Sequence, residues 1–447
     1  MELEIFQSDK GDCLLLSGKD GGRVLCDGGM KNAMMRHLRP RLGQLAEDGE
    51  RIDAVYVSHI DQDHISGVLR LLEDVLEWKI YDHHHSKPEG STVRKPDFPR
   101  PPEIGGIWHN AFRDLITKNR GRIEELLAAS APVLFGTGIS EAAHLAHEMQ
   151  NIASSIPEAL KVSRLVKPDL LDIPLNRPPG RPAPGELLLI EEPNDPFQIG
   201  SLNFQLIGPS KKQLRDLRKG WNNWLRDSDN RAAILKIRRE MWDRVNEFAS
   251  GSLTESPFDL RKWNGIPDFD GVTIPNTASL MFLVEEEGHT LLLTGDSHQK
   301  MIIDGLRETG NLVDDEHIHV DVLKVPHHGS EHNVDEDFCR RVSADHYVFC
   351  GDGKNGNPEP EVIQMYHDSR LGSASVRAMS PAAQNRNFTY WFSTVSSEQP
   401  NASARRNLEE TESLTDQLVQ NSNGRMRVER NQRDWITLRL SEGGGVV

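Results

Sequence analysis

Short apolar runs, each closing on Gly, Asp, Ser or His, recur along the chain in two separated sets. The first set reads LEIFQ, CLLLS, RVLCDGG, AVYVSH and WKIYDHHH, aliphatic or β-branched segments that predict strands. Between the last two, HISGVLRLLEDVLEWK repeats Val68, Leu71, Leu72, Val75 and Leu76 at helical spacing. Helices are also expected over 110–129 and around 140–160, and a Pro- and Arg-rich linker at about 167–184. Strands then resume as ELLLIEE, LNFQLIGPS, SLMFLVEEEG, HTLLLTGDS, VDVLKVPHHG and DHYVFCGDG, interrupted by an insertion at 211–270 rich in helix formers, Arg, Lys and Trp. FTYWFSTV and DWITLRL are late strands flanking a polar stretch, 396–425, expected as a mobile loop. No repeats occur. Frequent strand-to-strand steps without a helix argue for mixed sheets in a layered α/β fold, not a doubly wound parallel sheet.

Composition narrows the function. The 447 residues carry 68 Asp plus Glu against 52 Lys plus Arg, a formal charge of −16, which argues against indiscriminate coating of nucleic acid. No apolar run approaches the roughly 20 residues of a membrane span. The opening MELEIFQSDKGDC reads as neither signal peptide nor anchor, so a soluble, cytoplasmic protein is expected. Cys13, Cys26, Cys339 and Cys350 have no CxxC spacing, against a disulfide framework or a cysteine zinc knuckle. Histidine is abundant, at 18 residues, and clustered.

Three strand ends carry the chemistry. SHIDQDHISG places His59, Asp61, Asp63 and His64 on one turn before a helix. Asp63 suits a helix N-terminus, but capping does not account for the two histidines, whereas a bound cation offsets the whole set. TLLLTGDSHQ ends a strand on Asp296, and VDVLKVPHHGS ends one on His327 and His328, with Lys324 just upstream. Each follows one rule: an apolar strand, then a metal-competent side chain at its C-terminal end.

This motif set resembles the metallo-β-lactamase fold superfamily. With Asp61 in place of the usual histidine, and with GDCLLL, VLCDGG, LLLTGDS, LKVPHHGS and NPEPEVI, it is most similar to the hydrolase domain of the ComEC competence DNA-uptake protein. The likeness spans roughly 1–110 and 186–370. It implies an αββα sandwich over 1–395, the helical insertion included, with 396–447 as a polar loop and C-terminal strand extension. It implies two divalent ions: His59 and Asp61 at one, Asp63 and His64 at the second, Asp296 bridging, and one of His327 and His328 completing the second. Asp27 would brace the ligand loop. His109 is the favoured remaining ligand, with the run His83–His85 as competitor. Asn357-Pro358-Glu359-Pro360-Glu361 stands where relatives carry His-Pro-His-Pro-Glu, which alters substrate contacts and not the metal core.

Asp61 adds a hard oxygen donor, shifting a zinc-type site towards Mn²⁺ or Mg²⁺. The expected activity is phosphodiester hydrolysis by a bridging hydroxide in a dinuclear site, with Asp63 handling the proton and Lys324 either meeting a phosphate oxygen or facing solvent from its strand; nucleic acid is the leading substrate, and the resemblance implies DNA. Alternatives are a small-molecule hydrolase (cyclic nucleotide, phosphocholine ester or lactam) and a non-catalytic metal-binding partner module in a defence or uptake system. From Lys211 to Phe248 stand eleven Lys or Arg and six Asp or Glu, interleaved with Trp221, Trp224 and Trp242. Arg215, Arg218, Lys219 and Arg238 are candidate nucleic-acid contacts, although Leu214, Leu217, Trp221, Trp224 and Leu225 also fit an amphipathic core helix. His144 and His147 read as a solvated helix face. Asn276 and Ser279 fit either substrate contacts or turn chemistry.

Overall fold

The computed structural model describes residues 1–59, 61–86, 93–110, 158, 161–163, 165–180, 188–190, 194–212, 279–312 and 316–440. Two sheets face one another. The first has six strands: β1 (Glu2–Phe6), β2 (Leu14–Ser17), β3 (Arg23–Cys26), β4 (Ala54–Val57), β5 (Ile107–His109) and β14 (Trp435–Arg439), in the order β14-β1-β2-β3-β4-β5. The second has eight: β6 (Phe197–Ile199), β7 (Leu202–Gly208), β8 (Met281–Glu286), β9 (His289–Leu293), β10 (Ile318–Lys324), β11 (Val342–Phe349), β12 (Phe388–Phe392) and β13 (Met426–Arg430), in the order β13-β12-β11-β10-β9-β8-β7-β6.

The period-two geometry of a strand sorts the apolar residues between layers. In β2, Leu14 and Leu16 enter the core between the sheets and Leu15 points to the helices outside. In β3, Val24 and Cys26 face inwards and Leu25 outwards; in β8, Phe282 and Val284 face inwards, Met281 and Leu283 outwards. Both faces of these strands are covered, so their sequences read as continuous apolar runs.

Helices α1 (Arg39–Glu47) and α2 (Gln62–His85) cover the first sheet, α2 through Ile65, Val68, Leu69, Leu71 and Leu72. The second is covered by α3 (Gln299–Glu308), α4 (Glu336–Arg341), α5 (Pro360–Leu371) and α6 (Ala402–Asn421). The chain is thus the expected mixed α/β sandwich, αββα in its layers. Strands β3, β4 and β5 run parallel, as do β9 to β13. Their carboxyl ends supply the chemically active residues.

Three expectations are corrected. WKIYDHHH is not a strand but the last turns of α2, which buries Trp78. Residues 396–425 are not a loop: Asn401 caps α6 by accepting the N–H groups of Ser403 and Ala404, and Ala404, Leu408, Thr411, Thr415 and Leu418 form its buried stripe. Alanine and threonine conceal that stripe from a hydrophobicity reading. The start of the 167–184 linker is stapled to β5, where Leu175 bridges Ile107 and Asn176 holds both backbone groups of His109.

Of ELLLIEE, only 188–190 are described, and Ile190 bridges Ser210. Apart from residues 110, 158 and 211–212, the helices expected at 110–129 and 140–160 and the insertion lie outside the described residues, as do His144, His147 and Asn276.

Candidate metal centre

Close backbone contact sets the scaffold. Asp27 follows β3 in the left-handed region, with φ 58°, and its carboxylate accepts from Ser58 N and Ser58 Oγ, both at 2.7 Å. The same carboxylate lies 2.9 Å from His64 Nδ1. Gly28 N–H donates to His64 O, and a Cβ on Gly67 would fall 1.9 Å from Gly28 O, so only glycine lets this loop lie on the first turn of α2. A Cβ on Gly11 would stand 1.7 Å from Asp63 O. That contact presses the β1–β2 loop, and with it Asp12, against the ligand loop.

Asp296 is the hub. Its Oδ2 lies 3.2 Å from His64 Nε2, 3.2 Å from His328 Nε2, 3.7 Å from His327 Nε2 and 3.8 Å from His59 Nε2. Asp61 Oδ2 is 3.5 Å from His59 Nε2, and Asp63 Oδ2 is 3.8 Å from His328 Nε2. Asp296 N–H donates to Ser279 Oγ, and Asn333 donates to Asp296 O while holding His327 Nδ1 at 2.6 Å. His327 and His328 both have left-handed backbone, φ 45° and 56°, which turns both rings to the same centre.

Beneath them lies Asp12, whose Oδ1 is 3.0 Å from His328 Nδ1 and whose Oδ2 pairs with Lys324 Nζ. Lys324 also donates to Gly295 O at 2.9 Å and lies 3.4 Å from Asp296 Oδ1. Asp12, His64, Asp296 and His328 bring one ligand atom each within 4.8 Å of one another. Both Asp12 oxygens already serve His328 and Lys324, so Asp12 acts through His328 and orients its ring.

Electrostatics follow this geometry. Burial opposes charge on each group, yet Asp296 and Asp27 raise the His64 pKa well above its ordinary value. Asp296 and Asp12 likewise bring His328 up to about 9. Burial works against ionisation of Asp296, but His328, His64 and Lys324 hold its carboxyl well below the usual range. For Asp63 the charges of His64, Lys10 and His328 outweigh burial and lower its pKa. His109 differs: burial, then repulsion from His59, takes it down to about 3.

The donor set fits a divalent cation. His64 Nε2, His328 Nε2, both ring nitrogens of His109 and Asp61 Oδ1 are buried without a hydrogen-bond partner. Buried polar atoms are otherwise paired. A cation accepts these lone pairs once the protons leave His64 and His328, so metal binding releases protons.

Of the residues named from sequence, His59, Asp61, Asp63, His64, Asp296, His327 and His328 converge here, with His109 beside His59 and Asp27 behind His64. His83, His84 and His85 do not: they occupy the last turn of the 24-residue α2, roughly 30 Å along the axis from His64 at 1.5 Å per residue. Lys324 is corrected too. At 1% exposed, it neutralises Asp12 and Asp296 from behind and does not face a substrate phosphate. Arg215, Arg218, Lys219 and Arg238 lie outside the described residues.

Sequence reasoning missed Asp12, Asn333 and Lys10, whose Nζ stands 4.0 Å from Asp63 Oδ2. The Asp12 signal was present in GDCLLL, a turn aspartate beside a strand, but that strand begins at Leu14, after the aspartate, instead of ending on it.

Residues 9–133 match the family model described as the metallo-beta-lactamase superfamily, which supports the metallo-β-lactamase fold for this sandwich. No curated protein matches the chain. A crystal structure of a protein of unknown function from Enterococcus faecalis V583 aligns at 10% identity over 97% of this chain and 78% of that one, with a TM-score of 0.23, too low to bear on the fold. Matched family and ligand cluster together support a metal-dependent hydrolase. Among the described residues, no helix is long and apolar enough to cross a membrane.

Proposed function

We propose that this protein is a metal-dependent phosphodiesterase acting on nucleic acid, with DNA as the leading substrate. The observation that carries the reading is the convergence of four imidazole Nε2 atoms on Asp296 Oδ2, at 3.2–3.8 Å, with two of those nitrogens buried and unpartnered. His59, Asp61, His64, His109, Asp296 and His328 would hold the metal, with Asp63 and His327 at its open side. Bound divalent cations supply Lewis acidity, acidify a water and clamp a phosphate, and the three carboxylates favour Mn²⁺ or Mg²⁺ beside Zn²⁺.

The side chains open to solvent define the approach: Lys10, Asp61, Asp63 and His327 are 12–22% exposed, whereas His64 is fully covered. Asp63 is ionised at neutral pH and takes the proton of the attacking water. Lys10 lies beside it and meets a phosphate oxygen, the part expected of Lys324. The basic insertion, through Arg215, Arg218, Lys219 and Arg238, extends the positive surface for a strand. DNA is preferred to RNA on the resemblance to the DNA-uptake hydrolase domain.

Purified protein loaded with Mn²⁺ or Zn²⁺ is incubated with plasmid, single-stranded DNA and bis-p-nitrophenyl phosphate. Cleavage of both DNA and ester, lost in Asp63→Asn, is the expected result. Turnover of the ester alone would move the substrate to a small molecule, and inertness towards all three would end the phosphodiesterase reading. Charge reversal at Arg215, Arg218 and Arg238 should weaken DNA binding and leave ester turnover unchanged.

A further inference from the structure

A separate cluster of cations lies at the opposite end of the second sheet. Helix α5 returns from β11 to the parallel strand β12, so it runs antiparallel to both. At its start, Glu359 N–H donates to Gly329 O beside the metal centre. At its end, Arg370 donates to Ala344 O near the first residue of β11. Eight strand residues at about 3.3 Å each put this end roughly 25 Å from the metal-centre end of the strand.

There Arg370, Arg377 and Arg425, with Ser369, Gln384 and Asn385, line a small pocket that opens to solvent, and no carboxylate lines it. Arg370 is 2% exposed. Its terminal nitrogens reach Asp345 and the carbonyls of Ala344, Ala383 and Arg386, while its Nε–H is buried with no acceptor. Arg425 donates to Arg386 O at 3.1 Å, and its Nε–H is likewise buried without an acceptor. Arg377 donates twice to Gly372 O.

Asp345 also pairs with Arg386, and among the described residues neither Arg377 nor Arg425 has an ion pair. The Arg425 pKa is lowered by burial and then by Arg370 and Arg377, the mark of like charges held together. Unpaired buried donors and unneutralised guanidinium forks are costs that an oxyanion relieves, since the fork matches two oxygens at once.

We propose that this pocket binds a phosphoryl-sized oxyanion, either inorganic phosphate or the phosphoryl group of a mononucleotide, through Arg377 and Arg425 at its mouth and Arg370 behind them. The site is independent of the metal centre and of the hydrolase reading. Arg377 is exposed and Arg425 half-buried, and of the three carbonyls that Arg370 holds only Arg386 O is shared with Arg425, so it keeps a donor when Arg377 and Arg425 are changed.

The test is calorimetric titration of inorganic phosphate, and separately of a 5′-mononucleotide, into the metal-loaded full chain and into R377Q/R425Q, both in phosphate-free low-salt buffer. Circular dichroism checks that the variant is folded. Any phosphate taken up at the metal centre is common to both proteins, so the readout is the difference between them. The wild type is expected to show one saturable site more than the variant, or the same site at least tenfold tighter. Equal affinity for phosphate and mononucleotide assigns the site to a free phosphoryl group, and tighter mononucleotide binding assigns it to nucleotides. Identical titrations of wild type and variant overturn the proposal. Should the double variant not fold, R377E is held to the same comparison.

Discussion

Asp12, on the loop between two strands of the first sheet, is paired with Lys324, at the end of a strand in the second. The pair spans the sandwich directly under the histidines and is almost wholly buried, at 3% for Asp12 and 1% for Lys324. Each charge exists on account of the other: burial opposes ionisation of both, yet Lys324 and His328 lower Asp12 to about 2, and Asp12 and Asp296 raise Lys324. Removing one partner strands the other, at a cost of about 3–5 kcal/mol. Lys324→Met is therefore expected to lower unfolding stability by that order, and the double variant D12N/K324M to recover part of it. A double variant no more stable than the worse single variant in urea titration would contradict the coupling.

Asp296 joins His59, His64, His327 and His328. Asp296→Ala should abolish stoichiometric binding of Mn²⁺ or Zn²⁺, followed by elemental analysis after dialysis. In wild type, added metal should raise the melting temperature by mass action, and a chelator should reverse the rise. Retention of one metal equivalent by the variant would place the ions on other residues.

Asp27 contacts no proposed open side of the centre, but it holds His64 Nδ1 and fixes Ser58. Partners of this kind orient a ligand ring, and their loss typically weakens metal affinity about 10–100-fold. Asp27→Asn should show this drop in competition with a chromophoric chelator, while far-UV dichroism stays native. An unchanged affinity would reduce Asp27 to a turn residue.

His346 sets a pH dependence remote from the metal. Its Nδ1 accepts the indole N–H of Trp391 at 3.2 Å, and burial lowers its pKa from 6.5 to about 4 despite Asp345 and Asp321. Between those values the unfolded chain binds the extra proton, so stability rises with pH. Its contribution is whole above pH 6.5 and is lost as pH falls towards 4, on the order of 3 kcal/mol. Urea midpoints at neutral pH and at pH 4.5 should fall further for wild type than for His346→Gln. Equal decreases would remove His346 as a contributor.

The strand ends were legible because buried parallel strands have one chemical signature: an apolar run that stops at a ligand. That signature located His59, His64, Asp296, His327 and His328 without knowledge of their partners. Asp12 escaped because it precedes its strand, and Lys10 because a lone lysine in a turn has no pattern. The direction of Lys324 was also illegible, since one residue of register decides between core and solvent. Helix α6 escaped for another reason: Thr411 and Thr415 are buried with their hydroxyls satisfied by Pro358 O and Thr411 O, so they pack as small apolar residues while counting as polar.

Strands β1 and β14 are in register from Glu2 opposite Arg439 to Phe6 opposite Trp435. On this side β1 depends for its backbone hydrogen bonds on a strand far downstream in the sequence. Without β14 that side is an unguarded template on which another chain can add. Removal of β14 alone would therefore leave every proposed ligand of the metal centre in place, on a sheet with a sticky border.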